Sequence, residues 1–93
     1  MPEPTSYMVN DDTLAAYGAA LASVVGLMLR RLARDQPGVS RKVAGGYRTG
    51  DLRLRLVTTL AHGAQHELAL CALDSRGDET TLATVVVNAA ILD

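Results

Sequence analysis

The sequence of 93 residues contains no Phe and no Trp, and three Tyr are its aromatic residues. Its core therefore has to be built from Leu, Val, Ala, Met and Ile. Within the basic part of the chain, residues 30–55, Tyr47 is the single aromatic residue. Because recognition of single-stranded nucleic acid relies on aromatic rings that stack on bases, this scarcity argues against a single-strand binding platform.

Cysteine is almost as scarce. One residue, Cys71, cannot close an intramolecular disulfide. The first thirteen residues contain acids but neither Lys nor Arg, so no secretory signal is recognisable ahead of the apolar run. Both observations predict a reducing, cytoplasmic location.

Charge is absent from the whole stretch between Leu14 and Leu29. A helix that is apolar on nearly every side is buried in a large core, crosses a membrane or packs against copies of itself. The run of 16 residues is shorter than the ~20 that a membrane span needs, and Gly18 and Gly26 weaken it further. We therefore expect no membrane insertion and a helix that is buried in part by a second copy of the chain.

The length of the chain and the positions of its proline and glycine residues predict one domain. Residues 1–9 are interpreted as a flexible N-terminal arm and residues 10–93 as a single α+β domain. A helix should begin near residue 10 and end at about Asp35, since Pro37 and Gly38 follow. The glycine-containing residues 36–50 are predicted to be an irregular connector, with residues 39–44 as a candidate for a short strand or one helical turn.

Beyond the connector the hydrophobic period changes from helical to that of strands. Residues 51–60 alternate between Leu and polar or small side chains, residues 66–74 do so again, and residues 80–93 are rich in β-branched side chains. The predicted fold is α+β, with a long N-terminal helix packed on a three-stranded antiparallel β-meander and the connector as a candidate fourth strand. Val85, Val86 and Val87 make the last strand apolar on both faces, so a second subunit is expected to cover the face that the helix leaves open.

Small side chains on the helix suggest where subunits meet. A row of Ala and Gly at helical spacing allows two backbones to approach closely, and we predict it as the oligomer interface. The row is Ala15, Ala19, Ala22 and Gly26. A dimer is the first choice of assembly, because closed symmetric dimers are the commonest oligomers.

Eight of the nine basic residues lie within residues 30–55, against two acids, Asp35 and Asp51. The segment carries a formal charge of +6 although the whole chain carries -1. An anionic partner would bind the side chains of Arg30, Arg31, Arg34, Arg41, Lys42, Arg48, Arg53 and Arg55. The alternative is that these cations pair with acidic residues of a neighbouring subunit.

Catalytic and metal-binding patterns are weak. His62 and His66 have the i, i+4 spacing of zinc ligands, but Gly63 indicates a turn between them and no complete set of four ligands accompanies them. Cys71 is predicted to lie mid-strand opposite Arg55, where a thiol behaves as a small hydrophobe. The glycines at 45, 46 and 50 match no phosphate-binding motif. We expect no catalytic residues, no cofactor and no metal.

Two short patterns remain. Residues 76–78 spell Arg-Gly-Asp, which a polar hairpin turn explains without an adhesion function. A candidate strand at residues 5–9 ahead of a helix hints at a ribbon-helix-helix repressor, but residues 37–50 are not expected to supply the second helix of that fold.

The sequence therefore predicts a non-enzymatic, small, homo-oligomeric protein-interaction module, such as an adaptor, an inhibitor or a regulatory subunit. The alternative is a nucleic-acid-binding regulator that uses residues 30–55.

Overall fold

The structure, a computed structural model, describes residues 5–9, 19–60 and 65–88. Its strands are β1 (Thr5–Val9), β2 (Leu52–Leu60), β3 (Gln65–Asp74) and β4 (Glu79–Asn88), and its helices are α1 (Ala19–Asp35) and α2 (Pro37–Thr49). The strands form an antiparallel sheet in the order β1-β2-β3-β4. The α+β class and the three predicted strands are confirmed where the structure describes them; residues 10–18 of the predicted helix and residues 89–93 of the predicted last strand lie outside the described part of the chain.

The expectation of a single helix is wrong, because residues 37–49, predicted to belong to an irregular connector, form a second helix that begins at Pro37. Proline lacks the N–H that would continue the hydrogen bonding of α1, and it pushes the preceding residue out of the helical region. Gln36 accordingly has φ −139° and ψ 69°. The fixed φ of proline also suits the first position of a helix, so α2 starts at Pro37. The predicted end of α1 at Asp35 is confirmed.

The fourth strand comes from the N-terminal end of the chain. The connector that was expected to supply it forms α2. Thr5–Val9, assigned from the sequence to a flexible arm but also noted as a candidate strand, forms β1 and pairs with residues 54–58 of β2. Val9 is buried at the end of β1, which ties the strand to the core. Residues 1–4, also assigned to the arm, lie outside the described part of the chain.

Both helices cover the same face of the sheet, α1 against β4 and α2 against β2. The alternation of β2 places Leu54, Leu56 and Thr58 on this inner face, and all three are buried. Leu68, Leu70 and Ala72 of β3 join them as predicted. The large side chains of α1 complete the core at i, i+4, i+7 and i+11 spacing, namely Leu21, Val25, Met28 and Leu32.

The predicted polar turn between β3 and β4 is confirmed. Asp74 Oδ1 accepts hydrogen bonds from the backbone N–H groups of Arg76 and Asp78, each at 2.9 Å. Gly77 has φ 90°, a conformation that favours glycine. In β4, Leu82 is an extra residue between the partners of Leu70 and Cys71, which makes a β-bulge.

Candidate functional site

The basic residues of segment 30–55 are divided between two sides of the molecule. Six are exposed on the helices, and we call this surface the basic helical layer: Arg30, Arg31, Arg34, Arg41, Lys42 and Arg48. Arg53 and Arg55 alternate with the buried leucines of β2 and therefore point away from the helices. The eight predicted anion-binding side chains thus do not share one surface.

Asp35 is the acid of the basic helical layer. Arg34 donates to both of its carboxylate oxygens, from Nε to Oδ1 at 2.8 Å and from Nη2 to Oδ2 at 3.3 Å. This hydrogen bond lowers the pKa of Asp35 and raises the pKa of Arg34. In the described part of the chain the other five cations of the layer form no ion pair. The layer therefore has a formal excess of five positive charges.

The face of the sheet that points away from the helices is called here the outer face. Its apolar side chains include Val57, Ala69, Cys71 and Leu73, and Val86 is 54% exposed on it. No described residue forms a layer over this face, because both helices lie on the opposite one. The prediction that the chain leaves one sheet face for another subunit to cover is compatible with this arrangement and is not tested by it.

Arg55 and Glu79 form an ion pair on the outer face, although they belong to strands two positions apart. Arg55 Nε is buried and has no hydrogen-bond partner among the described residues. Cys71 lies opposite Arg55 in the register, as the sequence predicted, and its Sγ is 3.8 Å from Thr81 Oγ1. The thiol is 3% exposed. Its environment is that of a packed core-type side chain and not of an open nucleophile.

The charges at the two ends of the outer face have opposite signs. Arg53 lies opposite Leu73 at one end, and Glu67 lies opposite Thr59 at the other. Both side chains are exposed and neither has an ion pair within residues 5–9, 19–60 and 65–88. Six strand positions separate the two ends, about 20 Å. The outer face therefore has an apolar strip between a net positive and a negative end, and the Arg55–Glu79 ion pair crosses the strip near its positive end.

The predicted small-residue row faces away from the sheet. Ala19 is exposed, Ala22 and Gly26 are half-buried, and Ala15 lies outside the described residues. A Cβ at Gly26 would lie 3.3 Å from Nη1 of Arg30, so this guanidinium folds over the glycine. A second helix could approach the row closely only if Arg30 moved.

The remaining candidates from the sequence do not form sites within the described chain. His66 lies in β3 and His62 is outside the described residues; no group of three or more His, Cys, Asp or Glu side chains that could hold a metal occurs among those described. Gly45 and Gly46 lie inside α2 and not in a phosphate-binding loop. No helix within residues 19–60 is long and apolar enough to span a membrane.

A groove that the sequence did not predict lies between the two helices and the sheet and is called here the helix groove. It has a volume of about 320 Å³. Its lining residues are Val9, Leu29, Leu32, Ser40, Val43, Ala44, Tyr47 and Leu54, of which Ala44 and Tyr47 are exposed. The α2 residues of this set follow helical i, i+3, i+4, i+7 spacing from residue 40 to residue 47. That signal was present in the sequence, but the glycines beside it favoured an irregular connector.

Comparison of the chain with models of protein families, with curated proteins and with solved structures finds no match in any of the three.

Proposed function

We propose that the chain is a small non-enzymatic interaction protein that acts as a homodimer, with the outer face of one copy packed on the outer face of the other. The observation that carries this proposal is the uncovered apolar strip of the outer face, with Val86 at its edge. Apolar sheet faces in small two-layer domains are normally covered by another layer. Adaptors, inhibitors and regulatory subunits are the classes of protein that this description fits.

A second copy is the partner that the charges of the outer face favour. A two-fold axis in the plane of the interface, perpendicular to the strands, reverses the strand direction of the partner copy. It would bring Arg53 of each copy towards Glu67 of the other. The two copies would then gain two ion pairs around the apolar strip. The two sheets would lie about 10 Å apart, as sheets packed face to face do.

The outer face supports the dimer better than the small-residue row of α1 does. The row is exposed or half-buried, but Arg30 folds over Gly26 and would place a charge without an ion pair among the described residues where two helices have to meet. On the outer face the charge of Arg55 is already paired with Glu79. Large side chains are also missing there, so less apolar area would be removed from water. The proposed interface is therefore the outer face and not the row of Ala15, Ala19, Ala22 and Gly26.

Sedimentation equilibrium at micromolar concentration tests the dimer. The unchanged chain should sediment as a dimer, and Val86→Arg should make it a monomer because it places a charge in the apolar strip. Val39→Arg is the matched control, since Val39 is exposed on α2 and lies outside the outer face.

Charge reversal tests the orientation of the two copies. Arg53→Glu and Glu67→Arg should each weaken the dimer, and the double variant should recover it because the ion pairs are restored in reverse. A monomeric unchanged chain would overturn the proposal, and equal losses in Val39→Arg and Val86→Arg would overturn the choice of the outer face.

We also propose a second function, binding of double-stranded nucleic acid by the basic helical layer. The supporting observation is that five of its six cations have no ion pair within the described part of the chain, so they are available for phosphate groups. A gel-shift titration with duplex DNA at about 0.05 M salt tests it, because phosphate contacts are strongest at low salt. Arg41→Gln with Arg48→Gln should reduce binding, whereas Arg53→Gln, on the outer face, should not. Absence of a shift for the unchanged chain would exclude this function.

A further inference from the structure

We propose that the helix groove binds an anionic amphiphile with a single alkyl chain, such as a free fatty acid, with the chain in the groove and the carboxylate on Arg41 and Arg48. This inference is independent of the dimer, because the helix groove and the outer face lie on opposite sides of the sheet.

The walls of the helix groove are suited to an alkyl chain. Leu29 and Leu32 of α1 form one side, Val43 and Tyr47 of α2 form another, and Leu54 closes the floor from the sheet. Its volume of about 320 Å³ is in the range of small-ligand sites and about twice the ~150 Å³ of an apolar cavity that holds benzene. Among the described residues that line it, none carries a charged side chain. An alkyl chain placed here would leave water without burying a charge.

Cations lie immediately beside the open edge of the helix groove. Ala44 lines the groove and is exposed, so it lies at the open edge. Arg41 precedes it by three residues and Arg48 follows it by four, so both side chains are its neighbours on the surface of α2. Neither forms an ion pair within the described part of the chain. Two guanidinium groups at this edge can bind a carboxylate through paired N–H donors.

The same helix supplies an internal comparison. Lys42 is also exposed and cationic, but at 100° per residue it lies on the opposite side of Val43 from Ala44. If the net positive charge of the layer alone held the ligand, its affinity would depend on Lys42 as much as on Arg41. If its chain lies in the groove, its affinity depends on the two arginines and not on Lys42.

The concave shape of the apolar surface favours a free amphiphile over a membrane. Proteins that bind the membrane interface insert a protruding apolar helix face between the lipids. Here the apolar side chains of α1 and α2 line a depression, and the exposed face of α2 beyond Ala44 carries charge. A single chain that has left a bilayer fits this shape, whereas an intact bilayer surface does not.

Titration of the full chain with octanoate, octan-1-ol and acetate, followed by amide chemical shifts in NMR spectra, tests the proposal. Octanoate should cause saturable shifts that are largest at Val43, Ala44, Tyr47 and Leu54. Octan-1-ol, which has the chain without the charge, should bind about fivefold more weakly, as expected for the loss of two exposed ionic contacts. Acetate, which has the charge without the chain, should cause no saturable shift at these residues.

Three variants separate the parts of the site. Arg41→Gln with Arg48→Gln should lower octanoate affinity to that of octan-1-ol, and Lys42→Gln should leave it unchanged. Ala44→Leu, which keeps helix propensity and narrows the opening, should weaken octanoate and octan-1-ol alike, by about tenfold if two methylene contacts are lost. Circular dichroism of each variant reports whether α2 is retained.

Three results would overturn the proposal. The first is equal affinity for octanoate and octan-1-ol, which would remove the role of the arginines. The second is non-saturating octanoate shifts spread over all cations of the basic helical layer. The third is co-sedimentation with phosphatidylglycerol vesicles without saturable octanoate binding, which would assign this surface to a membrane.

Discussion

Arg55 reaches across β3 to Glu79 on β4, with its Nη2 2.5 Å from the Glu79 carboxylate oxygen Oε2. Next-nearest strands lie about 10 Å apart, so the long arginine side chain must extend over the intervening strand. The residue opposite Arg55 on that strand is Cys71, which is 3% exposed on a face that no described helix covers. We infer that the extended arginine shields the thiol from water.

Removal of Arg55 should therefore expose the thiol. In the Val86→Arg background, in which a second copy cannot cover the outer face, Arg55→Ala should raise the rate at which an aromatic disulfide reagent modifies Cys71. The free energy of unfolding should fall by less than about 1 kcal/mol, because both charged groups are partly exposed to solvent. Arg53→Ala, one outer-face position away, is the control and should leave the rate unchanged. Equal rates in all variants would refute the shielding role.

Replacing two adjacent glycines of α2 by alanine should change the free energy of unfolding in opposite directions. A Cβ at Gly45 meets no atom within 4 Å, so Gly45→Ala should stabilise the protein by about 0.5–1 kcal/mol through helix propensity. A Cβ at Gly46 would lie 2.8 Å from Cβ of Leu52, so α2 and β2 would have to separate. Gly46→Ala should therefore destabilise the protein. Urea denaturation measures both, and stabilisation by Gly46→Ala would contradict the packing of α2 against β2.

Replacement of Gly50 should lower the stability of the protein. It ends α2 with φ 82°, and its N–H donates to the carbonyl of Tyr47 at 3.3 Å. Side chains with a Cβ are strained in this left-handed conformation, so Gly50→Ala should lower the free energy of unfolding by about 1 kcal/mol. Gly50→Asn should lose less, since asparagine tolerates the conformation better. Equal stability of Gly50→Ala and the unchanged chain would indicate a different end for α2.

The centre of the sheet should be the part of the molecule most sensitive to cavity formation. Leu56 is fully buried, so Leu56→Ala should lower the free energy of unfolding by about 2–5 kcal/mol. Thr59→Ala, three residues along β2 on the outer face, should cost less than about 1 kcal/mol. The shift of the urea midpoint measures both changes. A Leu56→Ala effect as small as that of Thr59→Ala would mean that Leu56 is not in the core.

The Arg34–Asp35 contact should be visible as a pH effect. The hydrogen bond from Arg34 lowers the pKa of Asp35 in the folded chain below its unfolded value. This contribution to stability is present above the unfolded pKa and is lost as the pH falls through the folded pKa. Arg34→Gln should raise the pKa of Asp35 in an NMR titration of its side-chain carboxyl signal. Arg41→Gln, on the other helix, should leave it unchanged.

Local pattern was sufficient for several parts of the fold. The alternation of residues 52–60 predicted which side chains of β2 enter the core, and Leu54, Leu56 and Thr58 do. The hairpin register that places Cys71 opposite Arg55 also followed from pattern. The second helix did not, because Pro37 and three glycines weigh against a helix in local propensity. Packing of Val43 and the close approach of Gly46 to β2 outweigh that loss.

The candidate surfaces also followed from the sequence only in part. Sequence alone located the cluster of cations, but whether they share a surface depends on strand alternation and on which face the helices cover. Residues 5–9 were assigned to an arm for a similar reason. A short strand is stable only when its partner strand is in place, and the local pattern does not show that partner.

The amino-acid sequence by itself determined the α+β class, the inner leucines of β2 and β3, the end of α1 and the turn after Asp74, since each follows from periodicity or from a residue with restricted backbone angles. Only the tertiary structure decided that β1 joins the sheet, that α2 packs beside α1 and that the cations divide between two sides. These features depend on contacts between residues far apart in the chain, whose free energy no local segment contains.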